Sequence, residues 1–240
     1  MGLFDVFKKK ESTQQTTSAE QQNCISRVNL AKTAVEKVCL EKKPLIGLKA
    51  QVGLVLDYSG SMDSLYHNGT MQHLVEQIIP LAMQFDDNAQ MECWLFSSDC
   101  CRLDDVTLNN LPNYIRNSTK GHYMGGTSYA PVMNSVVNVY SDHKNPSYVL
   151  FVTDGDCCDH ERATDCIVKA AKLPIFWQFV GIGANSSDFK FLQRLDDMDG
   201  RYVDNADFFT VKNVNDITYK DLLDEFPNWL ENEKVKAMLS

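Results

Sequence analysis

An apolar run, Leu54-Val55-Leu56, ends in Asp57-Tyr58-Ser59-Gly60-Ser61, which sets one carboxylate and two hydroxyls at alternate positions. These are hard oxygen donors of the kind a small divalent cation prefers. Gly60 lets the loop close tightly enough to aim them inward. Asp and Ser also gather at loops and helix caps for purely structural reasons, so the pattern gains force only from what the rest of the chain adds. Two further stretches add donors: the paired glycines of Gly125-Gly126-Thr127-Ser128, and Thr153-Asp154-Gly155-Asp156, which follows a second apolar run, Tyr148-Val149-Leu150-Phe151-Val152.

The elements that must position these residues are legible as an alternation. The continuous apolar runs at 50–56 and 148–152 read as strands buried on both faces. Met91, Cys93, Leu95 and Phe96 mark another strand, and a short antiparallel edge strand is expected near Arg102 to Val106. Further strands are expected at Ile175 to Val180 and near Tyr202 to Phe209. Between them, helices are expected over 71–85 with a kink at Pro80, 107–116, 130–140, 160–172, 188–195 and 218–238. Strand and helix alternate throughout, so the expected fold is α/β: a doubly wound, mostly parallel six-stranded sheet with helices on both faces.

Side chains at the carboxyl ends of strands in such a sheet meet in a crevice where strand order reverses. If the 50–56 and 148–152 strands are neighbours, Asp57 and Asp154 face each other there and the Thr127 loop lies over them. Five donors, Asp57, Ser59, Ser61, Thr127 and Asp154, would then surround one cation, with water or a foreign ligand completing an octahedron. Two carboxylates nearly balance a divalent charge, so an open position would attract a partner's carboxylate.

Asp57-Tyr58-Ser59-Gly60-Ser61, Gly126-Thr127 and Thr153-Asp154-Gly155, in this order, resemble the metal-ion-dependent adhesion site of von Willebrand factor A (VWA) domains. The resemblance covers about residues 45 to 215. It implies five parallel strands and one antiparallel edge strand, with Ser59, Ser61 and Thr127 as direct ligands and Asp57 and Asp154 binding directly or through water. The implied ion is Mg²⁺, with Mn²⁺ or Ca²⁺ as alternatives, and the implied role is a non-catalytic contact to a protein partner offering an Asp or Glu. The ending Leu222-Leu223-Asp224-Glu225-Phe226-Pro227-Asn228-Trp229-Leu230 and the Val180-Gly181-Ile182-Gly183 turn are similar to bacterial VWA modules of TerF-type tellurium-resistance proteins. That similarity implies a place in tellurium resistance or stress response.

Composition narrows the alternatives. A 44% hydrophobic content is ample for a core, and a net charge of −9 supplies no basic stripe for nucleic acid. The expected divisions are a flexible leader at 1–22, a helix at 23–44 packed on the main domain, and the VWA domain at 45–240. The N-terminal residues lack the order of a secretory signal and no run is long enough for stable membrane insertion, so a cytoplasmic location is expected. Eight cysteines in that setting are expected as reduced thiols. Cys157, Cys158, His160 and Cys166 do not have the spacing of a structural zinc site, and the five histidines show no ligand pattern. Cys100, Cys101, Cys157 and Cys158 are candidates for a thiol-rich rim beside the cation site.

Two enzyme readings are the rivals. Gly126-Thr127-Ser128 resembles a subtilisin-like nucleophile segment, with Asp57 and His67 as acid and base. Nine residues between Asp57 and His67, and 60 between His67 and Ser128, are too few for that fold. A Mg²⁺-dependent phosphoryl transfer with Asp57 as nucleophile lacks the second carboxylate two positions on, where Ser59 stands, and no phosphate-cradling loop accompanies it.

Overall fold

The computed structural model describes residues 3–86 and 88–240, with side chains from residue 21 onward, residue 186 excepted. A six-stranded sheet runs through the molecule in the order β3-β2-β1-β4-β5-β6. Its strands are β1 (Gln51–Asp57), β2 (Glu92–Phe96), β3 (Cys100–Arg102), β4 (Ser147–Thr153), β5 (Ile175–Ile182) and β6 (Ala206–Val211). β3 alone is antiparallel to its neighbour. This is the expected fold class with the expected strand count. Every residue of β4 and β5 is buried, as is β1 after Gln51, because helices cover both faces and leave no solvent side for polar alternation.

One face of the sheet, with Val52, Leu54, Leu56, Tyr148 and Phe176, packs on α1 (Leu3–Glu41), α3 (Thr70–Phe85) and the C-terminal helices. The other, with Val55, Trp94, Phe96, Phe151 and Phe179, packs on α5 (Ala130–Tyr140), α6 (His160–Ala170) and α7 (Lys190–Asp196). Met71, Leu74, Val75, Ile78, Ile79, Ala82 and Phe85 give α3 its buried stripe, and the helix continues through Pro80. Against it α1 sets Cys24, Val28 and Val35, all buried. The Arg27 guanidinium pairs with the buried Glu76 carboxylate at 2.6 Å. The first turns of α1 cover residues 3–22 of the stretch expected as a leader over 1–22; residues 1 and 2, and side chains up to residue 20, lie outside those described.

Several expected boundaries move for local reasons. The edge strand sits at Cys100–Arg102, before the expected 102–106; Val106 makes only an isolated bridge to Met91. There the Asn110 side chain draws the chain into a turn, donating to the Asp105 carbonyl at 2.9 Å and accepting from Thr107 N–H at 2.8 Å. The helix expected over 107–116 is confined to α4 (Tyr114–Ser118). β6 begins four residues later than expected because Arg201 ties the preceding loop to the Asp196 carbonyl, Asp204 and Asn205. The single C-terminal helix expected over 218–238 is three: α8 (Tyr219–Leu222), α9 (Phe226–Glu231) and α10 (Glu233–Met238). Pro227 opens α9, and the Asn232 side chain caps α10 through Lys234 N–H.

Candidate metal centre

Strand order reverses between β1 and β4: after β1 the chain moves outward through β2 and β3, then returns to build β4 on β1's other side. The carboxyl ends of β1 and β4 therefore flank the switch point where ligands bind in open α/β sheets. Leu56 pairs with Val152, which sets Asp57 beside Thr153 and brings Asp154 to the mouth of the crevice.

Asp57 is fully buried and both its oxygens are engaged. Oδ1 accepts from the Ser59 N–H at 2.8 Å and Oδ2 from the Thr153 hydroxyl at 2.6 Å. Its carbonyl accepts from the Tyr66 hydroxyl at 2.6 Å; Tyr66 belongs to α2 (Asp63–His67), which follows the short 3₁₀ turn Gly60–Met62. Ser59 Oγ lies 3.1 Å from Ser61 Oγ, and the Ser61 hydroxyl donates to Asp154 Oδ1 at 2.9 Å. Four of the five expected donors thus form one hydrogen-bonded chain from the buried Asp57, through the Ser59 N–H and hydroxyl, to the solvent-facing Ser61 and Asp154.

Thr127 arrives differently. Gly125 forms a parallel bridge with Ser59 and its carbonyl accepts from Gly60 N–H at 3.2 Å. A Cβ on Gly125 would stand 3.0 Å from Ser98 Oγ, so glycine lets this loop lie close against the β2–β3 turn. On the other side the Thr127 carbonyl accepts from Cys158 N–H at 2.9 Å. Thr127 is therefore clasped between the Asp57 loop and the Asp154 loop, and its hydroxyl finds no hydrogen-bond partner among the described residues.

Burial pushes the Asp57 carboxyl up to about 6, against the pull of the hydrogen bonds from Thr153 and Ser59. Burial also raises Asp154, opposed by the Ser61 hydrogen bond. Both groups thus sit where their negative charge is poorly solvated, an arrangement that a cation would relieve.

Residues the sequence did not single out hold the site together. Thr153, expected just past the 148–152 strand beside Asp154, is the last residue of β4 and fixes Asp57. The Tyr129 hydroxyl donates to the Gly155 carbonyl at 2.6 Å, and Asp159 caps α5 by accepting from Tyr129 N–H and Ala130 N–H. Only the position of Thr153 just before Asp154 gave a signal; the other two act across segments far apart in sequence.

The cysteines divide. Cys100 and Cys101 on β3 are half-buried, Cys157 is buried and Cys158 is exposed. Burial, then the Asp99 and Cys101 charges, pushes the Cys100 thiol up to about 11, and burial raises Cys157 further. A reactive rim of thiolates is therefore not favoured by the environment. Of the zinc ligand list set aside for its spacing, Cys157 and His160 do come together, joined by Asp156. Cys158 Sγ turns instead to Ser128 Oγ at 3.2 Å, and Cys166 Sγ to the Ala130 carbonyl.

Comparison with known proteins bears on the fold and the family. The chain is 37% identical over 227 residues to YcbR, an uncharacterized protein of Bacillus subtilis, covering 90% of this chain and 91% of that one. It is 32% identical over 99 residues to Copine-C of Dictyostelium discoideum, but spans only 18% of that protein's length. Among solved structures, a PilB minor pilin variant from Streptococcus sanguinis matches with a TM-score of 0.54 at 14% identity, over 80% of this chain and 62% of that chain. Proximal thread matrix protein 1 from the mussel byssus, with its MIDAS motif occupied by zinc, matches with a TM-score of 0.52 at 15% identity, over 75% of this chain and 46% of that chain. At such identities these structures speak for the fold alone. The model for VWA domains found at the C terminus of TerF matches residues 49–239, and the chain accordingly belongs to the TerF-like group of the von Willebrand factor A family.

Proposed function

We propose that the protein is a metal-dependent interaction module. Asp57, Ser59, Ser61, Thr127 and Asp154 hold Mg²⁺, or Mn²⁺ or Ca²⁺ in its place, and a carboxylate from a protein partner takes the open position. The observation that carries this reading is the hydrogen-bonded chain from Asp57 through the Ser59 N–H and on by the Ser59 and Ser61 hydroxyls to Asp154, with the Thr127 loop clasped beside it. All five donors are oxygens, which suits a hard cation. The mussel byssus protein of this fold holds zinc at its MIDAS motif, which supports a divalent ion at the corresponding place here.

A groove of about 710 Å³ opens from Tyr58, between Ser59 and Asp57 in sequence, and is lined by Tyr66, Arg116, His122 and Tyr123 among others. Tyr123 is 89% exposed. The groove's aromatic lining, which also holds Arg116 and Asp63, supports a peptide segment as the docking partner. A cytoplasmic place in tellurium resistance or stress response is proposed on the family resemblance alone.

The rival chemistries find less support. Both oxygens of Asp57 are spent on hydrogen bonds inside a fully buried site, which suits a ligand or its support better than an attacking nucleophile. Ser128 lies against the Cys158 thiol, while His67 Nδ1 faces the Asp63 carbonyl and carboxylate at 3.0 and 3.2 Å. The test is a pull-down with the parent and Asp57→Ala, each with Mg²⁺ or a chelator. Proteins held by the parent only with Mg²⁺, and lost in Asp57→Ala, are expected. Equal capture by both chains in Mg²⁺ would overturn the reading.

A further inference from the structure

Beyond the oxygen-lined crevice, the loop leaving β4 and the first turn of α6 bring together a different donor set. Carboxylate, thiol and imidazole ligand atoms of Asp156, Cys157 and His160 all lie within 4.8 Å of one another. We propose that these three residues form a second metal site, distinct in chemistry from the first, that takes Zn²⁺ or a similar borderline divalent ion such as Co²⁺.

Three contacts hold the ligands in place before an ion arrives. Asp156 Oδ1 accepts from Cys157 N–H at 2.8 Å and lies 2.7 Å from His160 Nε2. The imidazole of His160 stacks on Phe191 of α7, with ring centroids 4.1 Å apart and planes 12° from parallel. That stacking fixes the ring plane and so the direction of Nε2, the kind of outer contact that orients metal-bound histidines. Cys157 Sγ is buried beside them, while Asp156 stays exposed and His160 half-buried, so solvent reaches one side.

The donor types decide the ion. One sulfur, one nitrogen and one oxygen make a poor cage for Mg²⁺ and a good one for zinc, which accepts all three and needs only water for the fourth corner. Tetrahedral bonds to zinc put ligand atoms roughly 3.3–3.8 Å apart, and the three atoms here already lie within 4.8 Å of one another. On binding, the Cys157 thiol releases its proton to solvent and its sulfur supplies the electron pair. An ordinary i, i+4 ion pair between Asp156 and His160 does not explain the imidazole held flat against Phe191.

Cobalt titration of the full chain, with Mg²⁺ in excess to occupy the oxygen site, separates the alternatives. A thiolate-to-cobalt charge-transfer band that saturates at one equivalent and is bleached by zinc is expected. The band should vanish in Cys157→Ser and weaken by more than about tenfold in affinity in His160→Phe, which keeps the stack on Phe191 but offers no ligand. It should persist in Asp57→Ala and in Cys158→Ser. Circular dichroism of each variant confirms that it is folded. No band in the folded parent, or a band retained by folded Cys157→Ser or lost in folded Cys158→Ser, would overturn the assignment.

Discussion

At the scale of single residues, Asp57 carries the opposing demands of the site. Its carboxyl is fully buried, and this burial pushes it up to about 6, above the ordinary carboxylate range. The folded chain therefore binds that proton more tightly than the unfolded chain. The resulting stability is complete below about pH 4, the unfolded value, and is lost as pH rises through about 6. Metal binding needs the ionised form, so the increase in Tm on adding Mg²⁺ should grow from about pH 4 to about pH 6 and then level off. Thermal melts across this range, with and without Mg²⁺, check it; a constant Mg²⁺ shift would contradict it. Asp57→Asn keeps an acceptor for the Ser59 N–H and removes the poorly solvated charge, so metal-free stability should change by no more than about 1 kcal/mol by urea denaturation. The donors themselves were legible because alternate positions on one loop need no tertiary knowledge. The roles of Thr153 and Tyr129 were not, since both act by hydrogen bonds to segments far away in the chain.

At the scale of elements, the site depends on loops that hold one another. Asp159 accepts from Tyr129 N–H at 2.8 Å and Ala130 N–H at 2.9 Å, so the loop after β4 caps the helix that follows the Thr127 loop. Asp159→Ala should cost about 1–2 kcal/mol of stability and weaken Mg²⁺ binding several-fold without removing a ligand. Chemical denaturation paired with metal titration checks both effects; an unchanged affinity would separate the cap from the site. The strands were legible where they are central, because burial on both faces leaves continuous apolar runs in β1, β4 and β5. The margins were not: side-chain turns at Asn110 and Arg201 decide where β3 ends and β6 begins, and such turns lie outside any periodicity. The three-way break of the C-terminal helix was partly visible in Pro227 and Asn232, which the apolar spacing masked.

At the scale of the whole molecule, α1 is added to one face of the sheet and completes its core. Cys24, Val28, Val35, Val38 and Cys39 are buried in the cluster that includes α3. Arg27 is half exposed but Glu76 is buried, so Arg27→Met, which removes that carboxylate's guanidinium partner and keeps the Gln72 amide, should cost about 1–3 kcal/mol. A chain lacking residues 1–22 should keep the parent Tm, whereas removing residues 1–44 should expose that apolar face and lower Tm sharply. Calorimetry of the two truncations tests the expected division at residues 22 and 44. The topology itself follows from alternation and was read correctly; it puts the carboxyl ends of β1 and β4 together and makes the crevice possible.

The central claim is that Asp57 and its neighbours bind a divalent cation. Isothermal titration of Mg²⁺ and Mn²⁺ into the parent and into Asp57→Asn tests it most directly. One site per chain in the parent, and none in the folded variant, is the predicted result; binding of equal affinity in both chains would contradict it.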